Sequence, residues 1–228
     1  MKPILLFDID GTLLHVKKNF LHEIIHQILT EFELSDISLE NRSFAGRTDK
    51  DIFSELIEEF SHTRDLYDSV SDRYIKLMTE NLSADYVEMI EGVRDAIDFA
   101  RNHNLPVGLC TGNYREVAYA KVGAIGLNNV FSFGGFGCDH QDRNHLPGQA
   151  SMEYKKKYDQ PAESNQFIVI GDTPNDVRCA HYFGAKAVAV TTGGFNKTQL
   201  HEHKPDLILD SLRSPEKWLF QLTRATQT

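Results

Sequence analysis

Short apolar runs punctuated by polar turns recur along this chain, and they predict strands alternating with helices. Residues 3–9, 106–110, 167–170 and 186–190 are brief and largely apolar, as strands buried on both faces are. Stretches of helical length with amphipathic spacing lie at 92–102, 114–125, 148–158 and 175–183, and a further strand is expected at 129–133. Such alternation implies a parallel sheet covered by helices on both faces, so the predicted class is α/β with a Rossmann-like body.

The alternation fails between about residue 14 and residue 89. Three helical candidates, 20–32, 50–60 and 66–82, follow one another there with no buried strand among them. Phe20, Ile24, Ile28 and Phe32 recur at helical spacing, as a core-facing stripe does. The reading is a helical insertion over 15–89, set into a body made of 1–14 and 90–228. No Pro-, Gly- or Ser-rich tether separates the two, and no internal repeat is visible.

Composition narrows the function. A chain of 228 residues, 41% of them hydrophobic, can bury one substantial core and still carry a small second module. Its net charge of −9, from 33 acidic and 24 basic residues, argues against a nucleic-acid or anionic-membrane surface. An anionic substrate would need local help from a metal ion, placed cations or helix N-termini. Cys110, Cys138 and Cys179 make no CxxC pair, which suits a reducing, cytoplasmic setting. Asp8 and Asp10 interrupt the first apolar run too early for an export signal, and no apolar run reaches the ~18 residues that span a bilayer.

Three segments carry candidate chemistry. In Asp8-Ile9-Asp10-Gly11-Thr12, strand alternation places Asp8 and Asp10 on one side at the carboxyl end of the first strand, where open α/β sheets hold ligands. Two carboxylates in one small volume call for a cation or for acid/base work. Gly11 permits the turn, and Thr12 can offer donors to a phosphoryl oxygen. After the second apolar strand, Thr111 and the backbone of Gly112 and Asn113 could do the same, although such residues also make ordinary turns and caps. After the strand at 167–170, Asp172 and Asp176 stand one helical turn apart. Each segment follows a strand of one parallel sheet, so Asp8, Asp10 and Asp172 are expected to gather around a divalent cation at one rim.

In order and spacing these segments resemble the motifs of the haloacid dehalogenase-like hydrolase superfamily, in its phosphatase branch with a helical cap. The resemblance implies that Asp8 attacks phosphorus to form an aspartyl-phosphate, and that Asp10 protonates the leaving alcohol and then activates water. Magnesium would be held by the Asp8 carboxylate, the Asp10 backbone carbonyl and Asp172, with Asp176 orienting the metal shell. The carboxylate at Asp10 sets the chain apart from dehalogenases, whose leaving halide needs no proton. The superfamily's basic residue is assigned to Arg143, with Lys155, Lys156 and Lys157 as competitors that read more simply as a solvated helix face. The insertion 15–89 resembles a cap domain, within which Arg47 could reach a substrate anion or merely precede a helix capped by Thr48 or Asp49. A Schiff-base mechanism is open only through Lys50.

None of the histidines falls in a metal-binding pattern, and all are read as non-catalytic. Gly134, Gly135 and Gly137 lack dinucleotide-site spacing and read as a loop near the active edge, while Trp218 with Leu219 and Leu222 is expected to anchor a terminal helix. The expected partner is a small phosphorylated metabolite; neither nucleic acid nor membrane is expected, and oligomeric state is open. A phosphosugar mutase resembling β-phosphoglucomutase is the second reading and a non-catalytic binding protein the third.

Overall fold

The first apolar run forms strand β1 (Ile4–Phe7), whose side chains divide between two cores. In the computed structural model, which describes residues 2–34, 44–60 and 65–224, Leu5 and Phe7 enter one buried cluster while Ile4 and Leu6 enter another. Strands β4 (Val107–Cys110), β6 (Phe167–Gly171) and β7 (Lys186–Val190) have the same two-sided burial. A strand buried on both faces has no polar alternation to display, which is why these runs read as continuously apolar.

With two edge strands, β5 (Gly134–Gly135) and β8 (Leu207–Leu209), six strands pair in the order β5-β4-β1-β6-β7-β8, every neighbouring pair parallel. Helices α4 (Val93–Asn102), α5 (Arg115–Ala124) and α9 (Pro215–Arg224) send apolar side chains into the first cluster, among them Ile97, Val122 and Trp218. Helices α6 (Leu146–Tyr158) and α7 (Pro174–Phe183) supply Ala150, Tyr154 and Val177 to the second. The terminal helix is thus held by Trp218, Leu219 and Leu222, as its sequence indicated. Removing such side chains from water is worth about 1.5–3 kcal/mol each.

Two expectations are corrected. The strand expected at 129–133 is turn and irregular backbone, and the edge strand is β5 (Gly134–Gly135). Phe131 and Phe133 enter opposite clusters, whereas residues two apart in a strand share one face, and only the Phe133 carbonyl joins the ladder, accepting from Leu109 N at 3.0 Å. The stretch 14–89 is bounded by strands after all. β2 (Leu14–Val16) and β3 (Val87–Met89) pair antiparallel as a two-stranded ribbon, and each is too short to stand out from its surroundings. Helix α8 (Lys197–Glu202) and strand β8 (Leu207–Leu209), half-buried at the other edge, had no distinct signal either.

Between β2 and β3 lie α1 (Lys18–Glu31), α2 (Asp49–Phe60) and α3 (Asp65–Asn81). They share a third cluster, containing Phe20, Ile24, Ile28, Phe53, Leu77 and Met78, which reaches Tyr114 and Val117 near the start of α5. Residues 35–43 and 61–64 of the expected insertion, including His62, lie outside the described residues. No helix among the described residues is long and apolar enough to cross a membrane.

Candidate active site

β1 is flanked by β4 and β6, so the loops that leave these three strands are neighbours, and chain-distant residues converge there. Asp8 follows β1, Thr111 follows β4, and Asp172 follows β6. Carboxylate oxygens of Asp8, Asp172 and Asp176 all lie within 4.8 Å of one another, and all three residues are buried. Thr12 donates its hydroxyl to Asp172 at 3.2 Å. Thr173 caps α7, and both its N–H (3.0 Å) and its hydroxyl (2.7 Å) reach Asp176.

Arg143 enters this set from a short 3-10 turn, Arg143–His145, that Asp142 caps through Asn144 N. Its guanidinium lies 3.1 Å from Asp8 and 2.5 Å from Asp176, and it also donates to the Cys110 carbonyl at 3.3 Å. Lys155, Lys156 and Lys157 are exposed on α6. One guanidinium therefore faces three carboxylates, an excess of two negative charges. Burial pushes the Asp8 carboxyl up to about 6; Arg143 opposes the shift, and Asp176 and Asp10 add to it. Burial, with Asp176 and Asp8, pushes Asp172 up to about 8. Those directions follow from desolvation and like-charge proximity.

Asp10 does not bring its carboxylate into this set. β1 ends at Phe7 and Gly11 turns the chain at φ +80°, so strand alternation does not carry through to Asp10. Its two oxygens accept from Lys121 Nζ at 2.8 and 2.6 Å, and one also accepts from Asn113 Nδ2 at 2.8 Å. Burial pushes the Asp10 carboxyl up, but the charge and hydrogen bonds of Lys121, with Asn113, outweigh it and leave the group below its ordinary value. Lys121 was not among the candidates, because a helix lysine normally reads as surface. A signal existed: Tyr114, Val117, Ala118 and Val122 form the buried stripe of α5, and position 121 falls on that stripe.

The other predicted groups are largely engaged within the protein. Gly11 N donates to Leu14 O at 2.9 Å and Thr12 N to Ile9 O at 3.2 Å. Thr111 Oγ1 accepts from Asn113 Nδ2 at 2.9 Å and from Asn113 N at 3.4 Å, which leaves its own hydroxyl proton to donate. Gly112 offers its carbonyl to Asp49 N at 2.7 Å. Arg47 is paired with Asp51 at 2.7 Å and Glu55 at 2.6 Å. The segment from Gly46 to Asp49 is fastened to the sheet body, with Asn175 Nδ2 on Gly46 O (2.8 Å), Thr48 Oγ1 on Gln141 O (2.7 Å) and Tyr114 N on the Asp49 carboxylate (2.9 Å).

A cavity of about 680 Å³ opens over these groups. Asp8, Asp10, Thr111, Lys121, Arg143 and Asp172 line it, together with Arg47, Asp49 and apolar side chains of α1–α3 such as Leu21, Ile25 and Phe53. Lys50 is not among the lining residues.

The acidic set fits a hard divalent cation. Its oxygens are of the right type, its surplus, two negative charges when all three carboxyls are ionised, is unpaired by protein, and the neighbouring backbone leaves room. A Cβ at Gly11 would fall 2.5 Å from Asp172 Oδ2, and one at Gly193 would fall 1.7 Å from the same atom.

Sheet order, buried carboxylates and the arginine beside Asp8 agree with a family assignment. Residues 5–190 match the Haloacid dehalogenase-like hydrolase family, and this chain belongs to it. It is 24% identical over 223 residues to phosphoglycolate phosphatase of Mesorhizobium japonicum, covering 91% of this chain and 90% of that protein. Pyrophosphatase PpaX of Bacillus mycoides is 23% identical over 211 residues, covering 91% and 92% respectively. The solved β-phosphoglucomutase of Clostridium difficile matches all of both chains (100% and 100%) with a TM-score of 0.75 at 16% identity, a likeness of fold.

Proposed function

We propose that this protein is a magnesium-dependent phosphohydrolase that cleaves a small phosphorylated metabolite through an aspartyl-phosphate on Asp8. The observation that carries the reading is the setting of Asp8: a buried carboxylate at the sheet rim, 3.1 Å from a buried guanidinium and lining a cavity that also holds Asp10. Family membership and the names of the relatives support the same reaction class.

A carboxylate oxygen of Asp8 attacks phosphorus, and the bond from phosphorus to the ester oxygen breaks. Asp10 takes up a proton as the anionic phosphoryl group binds beside it and delivers that proton to the ester oxygen, so the alcohol leaves neutral. Asp10, now a carboxylate, removes a proton from water, whose oxygen attacks the phosphorus of the aspartyl-phosphate and releases phosphate and Asp8. Arg143 holds Asp8 in line and offers N–H donors to the phosphoryl oxygens, and the Thr111 hydroxyl donates its remaining proton to another. The Asp8 and Asp172 carboxylates and the Asp10 backbone carbonyl would hold magnesium, with Asp176 orienting the set; bound there, the ion would neutralise charge on the transferring group.

Residues 15–89 act in this reading as a cap that covers the cavity and keeps bulk water out. The fastening of Gly46, Thr48 and Asp49 to the sheet body supports a closed arrangement. Arg47, held by Asp51 and Glu55 and lining the cavity, is the cap's cation toward the substrate's far end.

Phosphate release from a panel of small phosphate esters, with magnesium and with chelator, tests the reading. Release is expected only with the metal and is expected to fall by at least about 10³-fold in Asp8→Asn, which loses the nucleophile. Turnover unchanged in Asp8→Asn, or isomerisation of sugar phosphates without phosphate release, would overturn it.

A further inference from the structure

We propose that Lys121 is the positioning residue for Asp10, clamping its carboxylate beside the leaving oxygen of the substrate. The inference rests on the phosphohydrolase reading above and deepens it. Lys121 lies on α5, outside the three motif segments, and is only 3% exposed. Each of its three ammonium protons has an acceptor: Asp10 Oδ1 at 2.8 Å, Asp10 Oδ2 at 2.6 Å and Asn113 Oδ1 at 2.6 Å. Asn113 in turn donates to Asp10 Oδ2 at 2.8 Å and to Thr111 Oγ1 at 2.9 Å.

The clamp fixes Asp10 without hiding it. The Asp10 side chain retains 44% of its exposure, against 4% for Lys121, so the ammonium holds the carboxylate from the protein side while the other side faces the cavity. A solvated aspartate samples several rotamers, and proton transfer needs its oxygen within hydrogen-bond reach of the leaving atom. A stabilising role explains the arrangement poorly. Taking an ammonium out of water onto an apolar helix stripe is costly, and well-packed apolar side chains of similar volume are often neutral or better at such places. Nor does Lys121 duplicate Arg143, which is engaged with Asp8, Asp176 and the Cys110 carbonyl. The two buried cations divide the site, Arg143 on the nucleophile and Lys121 on the acid/base group.

The test compares two leaving groups in Lys121→Met. An aryl ester such as p-nitrophenyl phosphate leaves as a stable phenolate and needs no proton. An alkyl phosphate, taken as the one the wild-type protein cleaves best, needs the proton from Asp10. The kcat/KM for the alkyl ester, which reports transfer to Asp8 and not the later water step that Asp10 also serves, is expected to drop about 10²–10³-fold, within the range that general acid–base catalysis contributes. The aryl ester is expected to lose less than about tenfold. Because both rates come from one preparation, their ratio is insensitive to any misfolded fraction. On the aryl ester, Lys121→Met is expected to add nothing in an Asp10→Asn background, since it acts through that residue.

Equal losses on both esters, or full additivity with Asp10→Asn, would overturn the role of Lys121 while leaving the phosphohydrolase standing. A wild-type protein that cleaves aryl but no alkyl esters would overturn it too, because no leaving oxygen would then depend on Asp10. Failure of the wild-type protein to release phosphate from any ester would sink the underlying reading and this inference together.

Discussion

Replacing Arg143 with methionine leaves Asp8 and Asp176 without the cation they share. Side-chain exposures of 7% for Arg143, 6% for Asp8 and 2% for Asp176 leave water little access in its place. Removing one partner of a buried ion pair costs ~3–5 kcal/mol, because an uncompensated charge stays behind. The cost is capped by protonation. Asp8 already sits at about 6, so at pH 7 it can take up a proton for about 1.4 kcal/mol, and the rest of the penalty falls on Asp176. The pH dependence has a definite sign. Asp8 is raised above its ordinary 3.8, so the folded protein holds more protons than the unfolded chain between those values, and stability falls as pH rises through that window. Arg143 opposes the upward shift, and its loss extends the fall to higher pH. Urea unfolding with chelator at pH 5 and pH 7.5 is therefore expected to show a larger penalty for Arg143→Met at the higher pH. A penalty below about 1 kcal/mol at pH 7.5, or one equal at both values, would refute the buried-charge account.

Two further predictions concern the segment that fastens α2 to the sheet body. Burial pushes Asp49 up to about 6; Lys121 and Tyr114 N oppose the shift, and Asp10 and Asp8 add to it. Its ionisation therefore destabilises the fold above its ordinary 3.8, so Asp49→Asn is expected to gain stability relative to the wild type as pH rises from 4 to 7, by at most about 3 kcal/mol and less in proportion to cavity water; a difference that does not change with pH in urea titrations would count against it. Thr48 donates to Gln141 O at 2.7 Å and accepts from Asp51 N at 3.1 Å as the cap of α2, so Thr48→Val is expected to cost about 1–2 kcal/mol. Hydrogen exchange should quicken in the first turn of α2 and remain unchanged in β1 and β6, whereas uniform quickening would contradict a local cap.

What could be read from the sequence followed burial. β1, β4, β6 and β7 are central strands with two buried faces, and uninterrupted apolar character marks them. The short ribbon of β2 and β3 and the two edge strands carry three residues or fewer each, so their pairing is fixed by neighbours rather than by their own pattern. Asp8, Asp172 and Asp176 were legible because each follows a legible strand or opens the helix after it. The place of the Asp10 carboxylate was not, since it depends on the Gly11 turn and on a lysine more than 100 positions away (111 apart). Lys121 was concealed by its residue type. A charged residue on an otherwise apolar stripe is the signature to look for, and the stripe of α5 had one.

The distribution of charge explains how a chain of net charge −9 can receive an anion. Asp10 and Lys121 neutralise each other, so the surplus at the sheet rim belongs to Asp8, Asp172 and Asp176 against Arg143. Unpaired negative charge in a buried space repels phosphate, and it would also hold a divalent cation far more strongly than an exposed acidic patch could. A cation there would reverse the local sign, and short-range attraction would then outweigh the protein's distant charges, which salt screens within about 10 Å. The same surplus, together with burial, raises the Asp8 carboxyl to about 6 and Asp172 to about 8, since desolvation and mutual repulsion both favour their protonated forms. On the proposed reading, nucleophile and metal site are linked through one electrostatic imbalance: a cation bound there would relieve the repulsion and lower the Asp8 carboxyl.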